Sequence, residues 1–433
     1  MKLRYGFNEI YGWYHLSQGT HRKEVQRRMR LMGTKVVRLF VFDQPVPDPF
    51  KDWRNFEGLV QAVLDIGAKP MITFAKFPEP YDRPKNINDF VLRSSEVLWG
   101  MIERWGGEEV SQWYFGIWNE PNNLIVGGDL NFQQYLRIYQ ALSAEIFRQL
   151  SPYLHDRKAL IGGPAIDGTH RAYWLDWICR LLDEVDERQL GFVSWHCYGD
   201  WRPAVPSKSL GLQMWGSPDS PNGDAFEKLL LARTPTYEAK ARSVARLLVS
   251  RNVLNVCGEL NTMSHHEYYY TLGHNQNQLG AAYYASALIH LIRGGADMEL
   301  RWTATAHTDA YGLVYMDGKP SPAALAKQLF AQHVRFGDEV RFPENRLSLP
   351  QLDAIVSVSP AGGTSAVFVN TSREPVSFVP AEWDAALAAC TRLFRLDLTT
   401  DDRVAAETCG ERITLNGYGV GVISSGGAET IIE

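Results

Sequence analysis

The sequence has 433 residues, of which 45% are hydrophobic and 21% are charged. This length exceeds what one compact core supports, so two domains are expected, and the composition excludes a disordered chain. The 44 basic and 49 acidic residues leave a formal net charge of −5, which argues against nucleic acid or an anionic membrane surface as a partner. A neutral partner is therefore expected.

Residues 1–335 alternate short β-branched or aromatic runs with longer amphipathic stretches, which indicates repeated βα units and a parallel sheet. Eight strands are predicted, at 3–8, 35–41, 68–74, 112–118, 158–163, 191–196, 252–258 and 297–302. Helical patterns lie at 20–33, 55–67, 88–105, 131–149, 170–185, 236–250, 276–293 and 322–333. Eight strand–helix units in this length predict an α/β fold, a (β/α)8 TIM barrel.

Two insertions follow predicted strands on the face where barrel enzymes place their active sites. Residues 197–235, rich in Pro, Gly and Ser, are predicted as one long loop that carries Trp215, and residues 262–275 form a second loop. Both loops are expected to shape the substrate site, with Trp215 against the ligand, because flat aromatic faces suit sugar rings.

Beyond residue 335 the sequence changes to short runs of period two, such as SAVFVN and ERITLN, separated by Gly, Ser and Asp. This pattern predicts a small antiparallel, sandwich-like β domain over residues 336–433. The chain contains neither a GxGxxG pattern nor a Gly-rich loop with Lys, and the five cysteines lack metal spacing, so no cofactor and no metal are expected.

Nothing near the first residues resembles a signal peptide, and no apolar run reaches the roughly 18 residues of a membrane helix. The cysteines are odd in number, which favours reduced thiols. We expect a soluble, cytoplasmic protein, and the sequence leaves its oligomeric state open.

Two glutamates lie where predicted strands end. Glu120 stands in the WNEPN segment, where Pro121 is expected to end the strand because it has no N–H donor. Glu259 follows the seventh predicted strand in GELN. Hydrolysis of a glycosidic bond needs one carboxyl that protonates the leaving oxygen and another that attacks or stabilises the sugar, ~5–5.5 Å apart in retaining enzymes. The alternative is that each glutamate caps a helix or pairs with a surface cation.

Three segments in chain order carry a resemblance to known enzymes: Asn-Glu-Pro at 119–121, Ser-Trp-His-Cys-Tyr at 194–198, and Glu259. They resemble the clan A glycoside hydrolases, and within that clan family 39, which includes β-xylosidases and α-L-iduronidases. The likeness spans residues 1–335, and a trailing β domain is also typical. The resemblance implies a retaining hydrolase that acts through a covalent glycosyl-enzyme on a β-xyloside or a related β-linked carbohydrate.

The resemblance also implies roles for individual residues. Glu120 would be the general acid/base and Glu259 the nucleophile, while Asn119 would bind the sugar 2-hydroxyl. His196 and Tyr198 would line the site, with Tyr198 orienting the nucleophile; their alternative is a buried, satisfied histidine and a packed tyrosine.

Two further positions match the clan. Arg38 would support the nucleophile and lower its pKa, with a surface ion pair as the alternative. Trp302 would stack under the sugar, with a core tryptophan as the alternative. The β-xylosidases of this type carry acidic residues soon after that tryptophan, whereas this chain has His307 and Asp309 in the following segment. This departure puts xyloside specificity in doubt.

Two other classes of function were weighed. A metal-dependent barrel hydrolase could use His196, His265, His266, Glu267 and His307, but His265 and His266 are adjacent rather than four residues apart on a helix, and the first strand has no HxH pair. A catalytically inactive carbohydrate-binding barrel is the other alternative, although both candidate carboxylates are present.

Overall fold

The structure is a computed structural model. It describes residues 1–43, 45–76, 87–123, 126–167, 173–199, 223–262, 273–306, 311–343 and 349–425. Within these ranges, eight parallel strands close into a barrel in which the first strand pairs with both the second and the eighth. The strands are β1 (Arg4–Glu9), β2 (Val36–Val41), β3 (Lys69–Phe74), β4 (Tyr114–Ile117), β5 (Ile161–Ile166), β6 (Phe192–Tyr198), β7 (Leu254–Asn261) and β8 (Met298–Trp302). The predicted TIM barrel is confirmed.

Helices follow the strands, and each predicted helical pattern corresponds to one of them. The helices in the described ranges are α1 (Trp13–Ser17), α2 (Arg22–Leu31), α3 (Trp53–Asp65), α4 (Ile87–Trp105), α5 (Gly107–Val110), α6 (Phe132–Leu154), α7 (Trp174–Glu184), α8 (Gly223–Ala232), α9 (Pro235–Leu247), α10 (Gln278–Gly294) and α11 (Pro322–His333). Local sequence sets several of their ends. A capping box between Asn131 and Gln134 begins α6, and Gly295, at φ 83°, ends α10 in the left-handed region. None of the described helices combines the length and apolar composition needed to cross a membrane.

The prediction of one long loop over 197–235 is wrong in part. Strand β6 continues to Tyr198, and helix α8 occupies Gly223–Ala232. Leu230 and Leu231 of α8 are buried, so the short apolar run of this helix is used in packing. The many Pro, Gly and Ser residues before it concealed that run. The intervening residues 200–222, which include Trp215, lie outside the described residues, as do 263–272 of the second insertion.

The barrel interior and the layer between strands and helices are separate apolar clusters. Small inward-facing groups of side chains fill the bottom of the barrel, among them Val36, Met71, Val256, Met298 and Leu300. Side chains alternate along a strand, so the residues next to these in sequence face the helices. On β2 and β3 the residues two positions after Val36 and Met71 are polar: Arg38 and Thr73. They also face the interior, above this apolar cluster, which we call the apolar floor.

The C-terminal part contains strands β9 (Glu339–Arg341), β10 (Leu352–Val358), β11 (Thr364–Asn370), β12 (Val376–Phe378), β13 (Arg392–Leu396), β14 (Ala405–Thr408), β15 (Ile413–Leu415) and β16 (Val420–Ser424). In the described ranges they form a six-stranded sheet of order β14-β13-β16-β11-β10-β9 and a two-stranded sheet of β12 and β15, with antiparallel pairing throughout. The predicted antiparallel β domain is therefore confirmed.

The two faces of the larger sheet pack against two different apolar clusters. Val367 and Val369 of β11 belong to the same apolar cluster as the barrel helices, whereas Phe368 packs with Phe378 on the side of the smaller sheet. Gln278 at the start of α10 donates hydrogen bonds to the carbonyls of Leu396 and Tyr418 at 3.0 and 2.7 Å. Because the barrel and the sheet share this core, the domain boundary at 335/336 stays a prediction.

Candidate active site

The segment that carries Glu120 leaves its strand earlier than the sequence suggested. Strand β4 ends at Ile117, so the prediction that Pro121 ends it is wrong. Trp118 and Glu120 have φ angles of 69° and 45°, in the left-handed region that side chains other than glycine rarely adopt. The Trp118 indole N–H donates to the Gly127 carbonyl at 2.9 Å, and the Glu120 N–H donates to the Ala165 carbonyl at 3.0 Å. These bonds hold a strained turn that presents Glu120 at the barrel mouth.

Gly127 closes this turn against the backbone of Glu120. A Cβ at position 127 would lie 1.7 Å from the Glu120 carbonyl oxygen. A side chain is therefore excluded at this position unless the loop moves. The position of Glu120 depends on this close approach as well as on the strand.

Glu120 and Glu259 meet across the barrel, although 138 residues separate them in the chain. They are buried, with 7% and 4% of their surface exposed. One carboxyl oxygen from each, together with a ring nitrogen of His196, lies within 4.8 Å of the others. The His196 Nδ1 atom lies 2.7 Å from Oε1 of Glu120 and 3.5 Å from Oε2 of Glu259. This spacing is near the ~5–5.5 Å of paired carboxyls in retaining glycosidases and below the ~6.5 Å at which inverting pairs begin.

Glu259 receives one hydrogen bond on each carboxyl oxygen. The Arg38 Nη1 atom donates to Oε1 at 2.9 Å, and the Tyr198 hydroxyl donates to Oε2 at 2.7 Å. Both donors stabilise the carboxylate, as does the proximity of His196, but burial outweighs them and raises the pKa of Glu259, with a further contribution from Glu120. Arg38 thus opposes the rise, as the sequence suggested, without bringing the pKa below its ordinary value.

Arg38 is buried within the site and binds several of its side chains. It lies in the middle of β2 with 2% of its surface exposed. Its Nη2 donates to Oδ1 of Asn119 at 2.7 Å and its Nε to Oγ1 of Thr73 at 3.0 Å, while Nη1 also contacts Oδ1 of Asn8 at 3.3 Å. The alternative of a surface ion pair is therefore wrong. The guanidinium fixes Asn119 and Glu259 in one arrangement.

Glu120 lies among neighbours of a different kind. Its Oε1 contacts His196, and its Oε2 accepts a hydrogen bond from Nδ2 of Asn123 at 3.1 Å. Burial raises the pKa of Glu120 well above its usual range, and the charge of Asp167 raises it further, while Arg38 and Asn123 act in the opposite direction. Glu120 therefore holds a proton more strongly than an exposed glutamate.

His196 and Tyr198 are two residues apart on β6 and reach the same side of the strand. Burial lowers the pKa of His196 to about 4, so its ring is neutral at neutral pH. Burial also raises the pKa of Tyr198 well above its ordinary value, which keeps its hydroxyl proton available as a donor to Glu259. Both side chains are buried, and their partners are the two candidate carboxyls.

Trp302 ends β8 and is partly buried at the mouth. Its ring meets those of Tyr11 and Phe40 edge-on, at centroid distances of 6.1 and 5.7 Å. Soon after it, Thr305 donates its N–H and its hydroxyl to Oε2 of buried Glu9, at 3.2 and 2.9 Å. The predicted site residues His307, Asp309 and Trp215 lie outside the described residues.

Sequence reasoning missed four polar residues of the site: Asn8, Thr73, Asn123 and Asp167. Asn8 stands two positions after Gly6 on β1, and Thr73 stands two positions after Met71 on β3. Because side chains alternate along a strand, both face the barrel interior above the apolar floor, as Arg38 does. A polar residue on the inward side of a buried strand is a signal that could have found both of them. Asn123 and Asp167 have no such signal, because a turn and a contact between two loops bring them to Glu120.

The metal-dependent alternative has one geometric basis here. Glu120, His196 and Glu259 form the group of possible ligands found in the described part of the chain. The Arg38 guanidinium already lies 2.9 Å from Glu259, and its positive charge would repel a divalent cation. The other proposed ligands His265, His266, Glu267 and His307 fall outside the described residues.

Part of the chain is similar in sequence to known glycoside hydrolases. Residues 58–214 match the model of glycosyl hydrolases family 39. A β-xylosidase of Geobacillus stearothermophilus is 30% identical over 171 residues, which cover 36% of this chain and 32% of that protein. A β-xylosidase of Caldicellulosiruptor saccharolyticus is 26% identical over 162 residues, covering 33% of this chain and 30% of that protein. The matches thus span about a third of these relatives.

The fold extends the likeness to the whole chain. A solved GH39 β-xylosidase from Caulobacter crescentus superposes with a TM-score of 0.63 over 98% of this chain and 96% of that one, at 15% identity. At this identity the comparison establishes the fold alone. The chain is thus similar to glycosyl hydrolases family 39 over residues 58–214, and its fold is that of a solved GH39 β-xylosidase.

Proposed function

We propose that the protein is a retaining glycoside hydrolase that cleaves a β-xyloside or a related β-linked oligo- or polysaccharide. One observation carries the proposal: two buried carboxyls have oxygens within 4.8 Å of each other and unlike neighbours. Glu259 accepts hydrogen bonds from a guanidinium and a phenol, whereas Glu120 lies near a second acid that favours its protonated form. A nucleophile and a general acid need these two settings.

In the first step, an ionised oxygen of Glu259 attacks the anomeric carbon while the glycosidic bond breaks. Glu120 gives its proton to the departing oxygen, so the leaving sugar or alcohol is neutral. Arg38 and Tyr198 hold the attacking carboxylate in place, and Asn119, oriented by Arg38, is available to bind the sugar 2-hydroxyl. The products are a free alcohol and a glycosyl ester on Glu259.

In the second step, water attacks the same carbon and the ester bond to Glu259 breaks. Glu120, now ionised, takes the proton from that water and so returns to its starting form. Each displacement inverts the anomeric centre, and the two together retain its configuration. The stacking role proposed for Trp302 places its partly buried ring beneath the sugar.

A neutral pentoside is the proposed substrate because both curated relatives are named β-xylosidases. The departure of the segment after Trp302 from the pattern of those enzymes makes related β-linked sugars part of the same proposal. A panel of aryl β-glycosides, xylo-oligosaccharides and an iduronide, followed by proton NMR of the first product, tests substrate and stereochemistry together. A β-anomer as first product from a β-xyloside supports the proposal, and an α-anomer contradicts it.

The variant Glu120→Ala tests the assignment of roles. We expect it to release dinitrophenol from its β-xyloside in a fast first step, because this leaving group departs without a proton, and then to stall for want of a base. Hydrolysis of xylobiose should fall by about 10²–10⁴-fold. Azide should restore turnover and yield a β-xylosyl azide. An α-xylosyl azide from this variant would instead make Glu120 the nucleophile.

Two measurements address the other classes of function. Activity that survives a chelator argues against a catalytic metal at Glu120, His196 and Glu259, whereas loss of activity that a divalent cation restores would support one. Binding of the whole panel without turnover would favour a carbohydrate-binding barrel.

A further inference from the structure

A side-chain amide connects Glu120 to a second acid that the two-step mechanism does not use. Nδ2 of Asn123 donates to Oε2 of Glu120 at 3.1 Å and to Oδ2 of Asp167 at 3.0 Å. Oδ1 of the same amide accepts a hydrogen bond from the Val126 N–H at 3.2 Å. That bond fixes which end of the amide faces the carboxyls, because only its nitrogen can donate to both.

The fold, rather than a freely rotating side chain, places Asp167 there. Asp167 directly follows β5, and Asn122 binds its backbone on both sides: Nδ2 of Asn122 donates to the Asp167 carbonyl at 3.0 Å, and the Asp167 N–H donates to Oδ1 of Asn122 at 3.1 Å. Two residues earlier on each segment, the Glu120 N–H donates to the Ala165 carbonyl at 3.0 Å. The ends of β4 and β5 are therefore tied together at the level of the Glu120 carboxyl.

Charged and titratable groups reach Glu120 from several strands. From β2 comes Arg38, from β6 come His196 and Tyr198, from β7 comes Glu259, and from the end of β5 comes Asp167. Arg38 is bound to Glu259, and His196 is neutral at neutral pH because burial lowers its pKa to about 4. The charged group next to Oε2 of Glu120 is thus the Asp167 carboxylate, and the side-chain amide of Asn123 lies between the two.

We propose that Asp167 is a positioning residue of the glycosidase reaction: it orients Glu120 through Asn123, and its negative charge keeps Glu120 protonated for the first step. The same negative charge makes ionised Glu120 a stronger base in the second step. The inference rests on the proposed function, since it assigns a part in that reaction. Asn123 has the opposite electrostatic effect, because its hydrogen bond stabilises the carboxylate form of Glu120.

The test is the pH profile of kcat/KM for Asp167→Asn, measured with xylobiose and with dinitrophenyl β-xyloside. Asparagine keeps the shape and can still accept a bond from Asn123, but it removes the charge. We expect the basic limb with xylobiose to move to lower pH, so that kcat/KM on that limb falls about threefold or more below that of the wild type. The profile with the dinitrophenyl substrate should not move, because that leaving group needs no proton.

Two further variants separate charge from structure. Asn123→Ala removes the donor and leaves Asp167 in place, so its basic limb should move to higher pH, opposite to that of Asp167→Asn. Asp129→Asn is the matched control: it removes one negative charge from an exposed position of the loop that carries Asn123 and should leave the profile unchanged. Thermal melting of each variant identifies any that has lost its fold, and Asp167→Ala then repeats the charge removal with a different side chain.

The outcomes distinguish this inference from the proposed function. A wild type that gives the retained anomer, together with Asp167 variants whose basic limb stays in place, overturns the inference alone. The same holds if Asp167→Asn and Asp129→Asn shift the limb equally, or if both substrates shift alike. A wild type that hydrolyses no glycoside, or inverts it, overturns the proposed function instead.

Discussion

Two buried glutamates on neighbouring barrel strands are bound by the same kinds of group, a cationic side chain and a tyrosine hydroxyl. On β7, Glu259 accepts from the Arg38 guanidinium at 2.9 Å and from the Tyr198 hydroxyl at 2.7 Å. Each carboxyl oxygen thus has one donor, and the pair is buried.

On β8, Glu299 repeats this pattern on the outer side of the barrel. It accepts from Nζ of Lys327 on α11 at 2.7 Å and from the hydroxyl of Tyr284 on α10 at 2.8 Å. Lys327 also donates to the Gly6 carbonyl at 2.8 Å and lies 3.8 Å from the centroid of the Phe7 ring. Both charged side chains of this pair have no exposed surface.

What differs is the surroundings of each carboxylate. Glu259 shares its space with a second carboxyl that raises its pKa further, and it faces the mouth of the barrel. Glu299 lies between strand and helices, with its charge compensated by Lys327, whose pKa burial lowers to about 8. A carboxylate bound by a cation and a phenol can therefore take part either in catalysis or in stabilising the fold. The uncompensated second acid marks the pair proposed for catalysis.

The largest expected effect is on the β7 side of this comparison. Glu259→Gln should lower kcat/KM on every substrate by about 10⁴-fold or more, since no glycosyl-enzyme can form. Arg38 keeps Asn119, Thr73 and Asn8 as partners, and the substitution also removes the repulsion between Glu259 and Glu120, so the melting temperature should fall less than in Glu299→Gln, where no second acid is relieved. Steady-state kinetics and calorimetry check both parts. If this variant unfolds while the remaining folded enzyme stays active, the two pairs have the same role and the comparison fails.

The β8 pair should show the reverse. Glu299→Gln leaves Lys327 as a buried cation without its counter-ion, and such a change costs about 3–5 kcal/mol of the free energy of unfolding. The kcat per folded molecule should stay within about twofold of wild type. Chemical denaturation and active-site titration measure the two quantities. The control is exposed Glu339→Gln, for which a change within about 0.5 kcal/mol is expected. Equal effects of the two substitutions would show that the buried pair contributes no cohesion.

The smallest expected effect is on the pH dependence of the free energy of unfolding, and it comes from His333, which like Lys327 lies on α11 outside the barrel strands. Burial, followed by Arg335, lowers the pKa of His333 to about 4, whereas an unfolded histidine titrates near ~6.5. At pH above 6.5 both states are neutral; as the pH falls through this window the unfolded state takes up the proton first. The free energy of unfolding therefore decreases with acidification, by up to about 3 kcal/mol from this group.

His333→Gln should remove that part of the acid sensitivity. Denaturation at pH 7 and at pH 4 should show a smaller loss for the variant than for the wild type, while His196 in the site continues to contribute in both. Gln332→Asn, at the neighbouring position, keeps the histidine and should keep the full loss. An identical loss in wild type and His333→Gln would mean that His333 titrates normally in the folded protein.

Local patterns in the sequence were sufficient for the architecture. The alternation of β-branched runs with amphipathic stretches predicted the barrel strands to within a few residues, because burial on a parallel sheet demands such runs wherever it occurs. The same reasoning placed Glu120 and Glu259 after strand ends on one face. The structure brings them together, although β7 continues through Glu259 to Asn261, so the prediction that Glu259 follows that strand is wrong. The helix α8 was missed because its single apolar run lies in a segment otherwise rich in Pro, Gly and Ser.

Tertiary contacts decided how the site is arranged. The left-handed turn at Trp118 and Glu120 depends on Gly127 and on the Ala165 carbonyl, and no local pattern specifies such a contact. The same is true of Asp167, which is 47 residues from Glu120 and reaches it through one amide of another loop. The sequence by itself determined which residue types stand at the strand ends, since backbone periodicity is local. Only the closed barrel decided which charges face each other, because pKa values depend on burial and on neighbours distant in the chain.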